Sequence, residues 1–354
     1  MRNAAGPHVD RSRSRARGPS SWLRRSLCVA AIVVAAGCGD EDTRRERADS
    51  AARTGSLTTV KLPRGTWPRA LVFDDRGTLW IAETSADAIA ERKPDGSIVH
   101  HRLGEATGTS VGDLVAAGDG NLWFQGFQLV GWITPQGDVS GYQPAPPGGQ
   151  GPDVGLPSAM TAGPDGNAWY ASDAVPPSIK RAAADGTIRT YGLPRSARAS
   201  GFGGIAAGPD GALWFTQTGR SQAIGRLHPD TGYRRFRLPH RNPGLGRITA
   251  GPDGALWFTE QALYRIGRIS TDGAVEEFAL KAGTVPAELI AGRDGALWFT
   301  AGGGVGRITT AGHVKLWSVP GAKDLWGMAQ ARDGALWLTE PEAALLHRFV
   351  PSTP

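Results

Sequence analysis

Cysteine is almost missing from this chain: of 354 residues only Cys28 and Cys38 carry a thiol, and both lie within the first 38. The rest of the protein therefore has no internal disulfide and no thiol chemistry, and must hold together by packing alone. Long hydrophobic runs are lacking as well. The apolar stretch Leu27 to Ala36 has ten residues, about half of the ~20 that a membrane-crossing helix needs. An excess of one charge is absent from the body. Of the formal +6, residues 1–37 contribute seven Arg against one Asp, which leaves 39 − 7 = 32 basic and 33 − 1 = 32 acidic residues from position 38 onward. That balance argues against a nucleic-acid partner.

What is present is repetition. Gly251-Pro-Asp-Gly-Ala-Leu-Trp-Phe-Thr-Glu260 occurs, with small changes, seven times, and its tryptophans are Trp80, Trp123, Trp169, Trp214, Trp257, Trp298 and Trp337. The spacing of about 39–46 residues is that of a four-stranded propeller blade. The 50 glycines and 25 prolines would suggest disorder if scattered, but Gly falls at a fixed place in each repeat and so marks turns.

The best copy shows how a blade is built. Arg247–Ala250 reads as a first strand, Gly251-Pro-Asp-Gly254 as a turn, Ala255–Thr259 as a second strand, Tyr264–Ile269 as a third, and Ala274–Leu280 as an alternating fourth. A small sheet cannot bury its own faces, so the repeated Trp is expected to pack one blade on the next. The recurring Arg of Ile-Gly-Arg (Arg226, Arg268, Arg307) reads as surface cover or inter-blade pairing, and the Asp-Gly turns as purely conformational. The last repeat supplies only three strands, while a lone strand-like piece, Leu57–Leu62, precedes the first repeat. The fold expected is all-β: a seven-bladed propeller of four-stranded antiparallel blades, spanning 57–350 with a tail at 351–354, its last blade closed by the N-terminal strand.

Residues 1–37 read as a lipoprotein-type signal peptide, with Arg24-Arg25 before the apolar run and Ala35-Ala36-Gly37-Cys38 resembling a bacterial lipobox. Cys38 is then the lipid-attachment residue, and 38–56 a flexible tether. The expected location is the bacterial cell envelope, outside the cytoplasm.

In an up-and-down meander the start of the first strand, the end of the second and the inter-blade links share one face. That face collects Glu83, Gln217, Glu260 and Glu340, with Glu342 close behind, and also Arg69, Arg247, Glu288, Asp324 and Trp326. Convergent carboxylates there would suit a hard cation such as Mg²⁺ or Ca²⁺. Among the histidines of the body only His240, in an inter-blade link, is placed to act as a general base.

The decapeptide motif, the Ile-Gly-Arg-Ile that follows it and the Leu-Pro after the fourth strand (Leu193-Pro194, Leu238-Pro239) resemble the streptogramin B lyase family, also called virginiamycin B lyase. The resemblance implies an Mg²⁺-dependent elimination, with no organic cofactor, that opens a cyclic depsipeptide at its ester C–O bond while a His removes the neighbouring Cα proton. Its first His corresponds here to Ala287, its second to Trp326, and a Tyr to Arg69. Asp324 and Glu340 or Glu342 keep carboxylates on the metal side. The functional expectation is an exported lyase-like propeller with His240 as a relocated base. Its rivals are a non-enzymatic envelope lipoprotein binding a small molecule, peptide, glycan or protein through Arg69, Glu83, Glu260, Glu288 and Trp326, and a lactonase-like metal-dependent hydrolase. In each case a monomer is expected, touching the membrane only through its lipid.

Overall fold

A computed structural model describes residues 55–103, 110–142, 154–194 and 201–352. The leader, Cys38 and the tether up to residue 54 lie outside these. The described residues form seven four-stranded antiparallel sheets, six of which follow the chain from an inner first strand to an outer fourth. The fifth blade is typical: Leu245–Ala250, Leu256–Glu260, Arg265–Ile269 and Val275–Ala279. The only helical element among the described residues is a 3-10 turn, Gln261–Leu263.

Ring closure follows the expected exchange. Met328–Gln330, Leu336–Glu340 and Leu345–Val350 are joined by Ser56–Lys61, which pairs antiparallel from Ser56 opposite Val350 to Lys61 opposite Leu345. The N-terminal strand thus covers an edge that would otherwise expose unpaired backbone groups.

Each repeated Trp is buried in a core shared with the next blade. Trp214 of blade 4 packs with Leu245, Ile248 and Phe258 of blade 5, and Trp257 of blade 5 with Leu289, Leu297 and Phe299 of blade 6. Trp337 of blade 7 joins Leu71, Leu79 and Ile81 of blade 1, which carries the seam across the closure. Outer strands add a ring against several indoles: Phe236 stacks on Trp214 at 5.3 Å, and Phe278 on Trp257 at 5.4 Å.

The turn aspartate has a second task that the conformational reading missed. Trp257 Nε1 donates to Asp253 Oδ1 at 3.0 Å, and Arg268 Nε donates to Asp253 Oδ2 at 2.6 Å. The same three-residue lock recurs as Trp214–Asp210–Arg226 and Trp298–Asp294–Arg307. The Ile-Gly-Arg arginines therefore pair within their own blade, not between blades. Burial alone would raise the Asp253 carboxyl, but the indole and guanidinium donors outweigh it and hold the group below its ordinary value.

Two glycines of the repeat are required by contact. A Cβ on Gly251 would lie 2.4 Å from the Trp257 ring, and one on Gly267 2.2 Å from the Phe258 ring. Their absent side chains let the second-strand aromatics lie flat on the neighbouring backbone.

Replacing Asp253 by Ala strands a buried indole N–H and an arginine, and is expected to cost about 1–3 kcal/mol by chemical denaturation. The same change at the exposed Asp272, in the outer turn of the same blade, is expected to stay within about 0.5 kcal/mol.

Candidate functional site

The inner strands wall a central channel, and one position in them decides its chemistry. It is the residue just before the first well-paired inner hydrophobe of each blade, fixed by the pairs Leu71–Ile81, Leu114–Phe124, Met160–Tyr170, Ile205–Phe215, Ile248–Phe258, Leu289–Phe299 and Met328–Leu338. From blade 1 to blade 7 that residue is Ala70, Asp113, Ala159, Gly204, Arg247, Glu288 and Gly327. Four small residues leave room for three charged ones.

Arg247 uses that room to reach across the axis from blade 5 to blade 2. Its Nη1 and Nη2 donate to Asp113 Oδ2 and Oδ1 at 3.0 and 2.8 Å, a bidentate pair, while its Nε lies 3.3 Å from Glu288 Oε2 on blade 6. The Asp113 and Glu288 carboxylates raise the guanidinium's affinity for its proton further, so Arg247 is permanently charged. Burial pushes the Glu288 carboxyl up, against the opposing pull of Arg247.

Above this ion triad opens a cavity of about 730 Å³, lined by Arg69, Asp113, Gln125, Arg247, Gln261, Val285, Ala287, Glu288, Asp324 and Trp326, among others. Below it a narrower space of about 150 Å³ continues between inner-strand hydrophobes such as Leu71, Met160 and Ile248. The triad is thus the floor of the upper cavity. On the rim, the Arg69 guanidinium lies over the Trp326 ring at 4.3 Å, and Trp326 Nε1 donates to Asp324 Oδ2 at 3.3 Å. Burial, followed by the like charge of Arg247, lowers the pKa of Arg69.

The repeat's own Thr positions these rim residues. Thr339 Oγ1 of blade 7 donates to the Arg69 carbonyl at 2.8 Å, and Thr300 Oγ1 of blade 6 donates to the Trp326 carbonyl at 2.9 Å. The same bond runs from Thr216 to the Gly246 carbonyl, beside Arg247. The second strands of blades 4, 6 and 7 therefore anchor the opening of the next blade.

The structure brings together Arg69, Arg247, Glu288, Asp324 and Trp326 of the residues anticipated, and adds Asp113. It does not bring in the glutamates that end the second strands, Glu83, Glu260 and Glu340. The second strands extend through that residue, as Leu79–Glu83, Leu256–Glu260 and Leu336–Glu340, so the pleat sends Glu to the same buried face as the Leu and Phe or Ile before it. Glu83 accepts from His100 at 2.8 Å, and Glu340 is bonded to His347 Nε2 and the Lys323 N–H, both at 2.9 Å. Neither lines the cavity. Glu342 is exposed outside it.

Glu260 is the exception among these acids, because its blade gives it no donor. It is wholly buried, both carboxylate oxygens lack a hydrogen-bond partner among the described residues, and burial with the nearby charge of Glu277 pushes its pKa up to about 7. His240 Nε2 lies 3.1 Å from Glu277 Oε2, on the outer strand, and the residue is half exposed. It is not at the cavity. The other histidines of the body also stand elsewhere, so none lines it.

Asp324, Glu340 and Glu342 do not present a common set of free oxygens. Both oxygens of Glu340 are already engaged, and among the described residues no three His, Cys, Asp or Glu side chains are placed to share a cation. The donor set does not fit a bound Mg²⁺.

A ring of seven Trp-linked sheets with an axial cavity at the inner-strand openings defines the protein as a seven-bladed β-propeller. By sequence it belongs to the virginiamycin B lyase family, whose model matches residues 150–353. A catalytically inactive His-to-Ala variant of virginiamycin B lyase from Staphylococcus aureus, solved with quinupristin, is 29% identical, with 83% of this chain and 98% of that one covered and a TM-score of 0.73. A streptogramin B lyase is 26% identical over 84% and 98%, with a TM-score of 0.75. A gluconolactonase from Xanthomonas campestris shares the fold at 17% identity, covering 86% and 93%, with a TM-score of 0.54. No curated protein sequence matches the chain.

Asp113 escaped the sequence reading because it belongs to the least regular repeat. Aligning the seven inner-strand openings column by column would have exposed it beside Arg247 and Glu288.

Two substitutions test this geometry. Arg247→Met leaves two carboxylates facing each other without their cation and is expected to cost about 2–4 kcal/mol, somewhat less than a fully buried pair because the guanidinium is partly exposed. For Glu260, the folded state holds the proton more tightly than an unfolded chain, whose glutamates titrate near 4.5. Its unfavourable contribution is therefore absent below that value and grows as pH rises through about 7. Glu260→Gln is expected to match the wild type at pH 4 and to melt higher at pH 8; equal melting at both values would contradict the burial of an unpaired acid.

Proposed function

We propose that this chain is a binding member of its family that holds a compact, peptide-like small molecule in the axial cavity without opening it. The observation that carries this reading is the cavity's lining. It offers Arg69, Trp326 and an ion triad in which Asp113 and Glu288 share the Arg247 guanidinium, but no imidazole to take a proton from a ligand. The two positions where the family resemblance implies histidines hold Ala287 and Trp326, and both face the cavity. A general base typically contributes 10²–10⁴-fold in rate, and neither Ala nor Trp accepts a proton. His240 cannot substitute from the outer edge of blade 5. The family relative solved with quinupristin is itself an inactive His-to-Ala variant, which supports ligand retention on this scaffold after a histidine is lost.

The indole of Trp326, 43% exposed, supplies an apolar wall of the kind that ligand pockets use for most of their contact area. Asp113 and Glu288 are satisfied by Arg247 and serve to fix the floor. The lactonase alternative needs a metal-held water, and among the described residues the cavity gathers no donor set for it. We place the protein in the cell envelope, tethered through Cys38, on the strength of the leader sequence alone.

Quinupristin with and without added Mg²⁺ is the direct test of turnover, followed by chromatography in ¹⁸O-labelled water. Intact ring is expected under both conditions. A ring-opened product without label would reinstate the lyase, and a labelled one the hydrolase.

A further inference from the structure

Among the described residues that line the cavity, Arg69 is the one cation whose charge is not taken up by an ion pair. Arg247 directs its guanidinium to Asp113 and Glu288. Among the described residues the Arg69 guanidinium makes no hydrogen bond and no ion pair; its contact is the face of Trp326. Stacking satisfies the flat face of a guanidinium and leaves its in-plane N–H groups free, and those are the groups that bind a carboxylate in bidentate fashion. The backbone beneath is held, since the Arg69 carbonyl accepts from Thr339 and the Trp326 carbonyl from Thr300. Donor and indole are therefore arranged before any ligand arrives.

The nearby acids do not take this role. Asp113 accepts from both Arg247 nitrogens and from the Met160 N–H, and Glu288 accepts from the Leu289 N–H beside its pairing with Arg247. Asp324 accepts from the Trp326 indole on the rim. With Val285 exposed on the same wall, the site offers a fixed cation beside an apolar surface.

Resting on the binding reading above, we propose that the ligand of this cavity is a carboxylate, seated on the free N–H edge of Arg69 with an apolar side chain against Trp326. Among streptogramin-type peptides this selects the linear acid over the closed ring. The ring's ester carries no anion, whereas scission of its C–O bond leaves a free carboxylate at one end.

Calorimetric titration of the full chain with ring-opened quinupristin, as the free acid and as its methyl ester, isolates the charge. The acid is expected to bind at least 10-fold more tightly than the ester, and its advantage to shrink between 50 and 500 mM salt. In Arg69→Met, checked for folding by its melting curve, the acid-to-ester ratio is expected to fall to about one. Arg69→Lys, which keeps the charge without the fork, is expected to give an intermediate ratio. Equal affinities for acid and ester in the wild type would overturn the carboxylate subsite while leaving cavity binding intact, provided Trp326→Ala weakens both. Failure of acid, ester and intact quinupristin alike to bind would overturn the cavity reading and this inference together.

Discussion

The burial of one tryptophan per repeat against the following blade is the constraint on which everything else rests. A four-stranded sheet of this size has two apolar faces and no partner within itself. Placing Trp257 under blade 6, Trp298 under blade 7 and Trp337 under blade 1 turns seven separate failures of burial into one continuous core. The indole N–H would be a liability in that position, and the turn aspartate removes it. The repeated arginine then completes the lock on the aspartate's other oxygen. One decapeptide thus encodes strand, turn, core and its own polar satisfaction.

Closure has a functional consequence beyond stability. Because the ring is seamless, the seven inner-strand openings meet around one axis, and a residue of blade 5 can bond one of blade 2. Thr216, Thr300 and Thr339, two residues after the repeated Trp, carry this order forward by fastening a carbonyl of the next opening. The scaffold holds Arg69 and Trp326 in register with the ion triad while those side chains themselves lie outside the repeat's consensus. Conserved geometry and variable chemistry are separated by a single residue along the strand.

The acids at the ends of the second strands show how that separation operates. Glu83, Glu260 and Glu340 look like a convergent set in one dimension, and they are equivalent in three, but equivalence places them inside their blades. Glu83 and Glu340 have histidine partners, and Gln217 meets Tyr233 at 3.0 Å. The outer-strand place that His100 takes in blade 1 is held in blade 5 by Glu277, so Glu260 is left without a donor and keeps its proton to a higher pH. A repeat makes positions comparable, and it is the departures from it that carry information.

By itself the sequence determined the number of blades, the four-strand meander, the role of Trp and the exchange of Ser56–Lys61 into the last sheet, because these follow from local periodicity and from a count of strands. It also placed Arg69, Arg247, Glu288, Asp324 and Trp326 on one face. Only the tertiary structure decided that Thr-Glu acids turn inward, that His240 stands at the outer edge, and that Asp113 and Arg247 meet across the channel. The physical reason is range. Pleat and turn act over a few residues and are legible in order, whereas the Arg247–Asp113 bond joins residues 134 apart that only a closed ring brings within hydrogen-bonding distance.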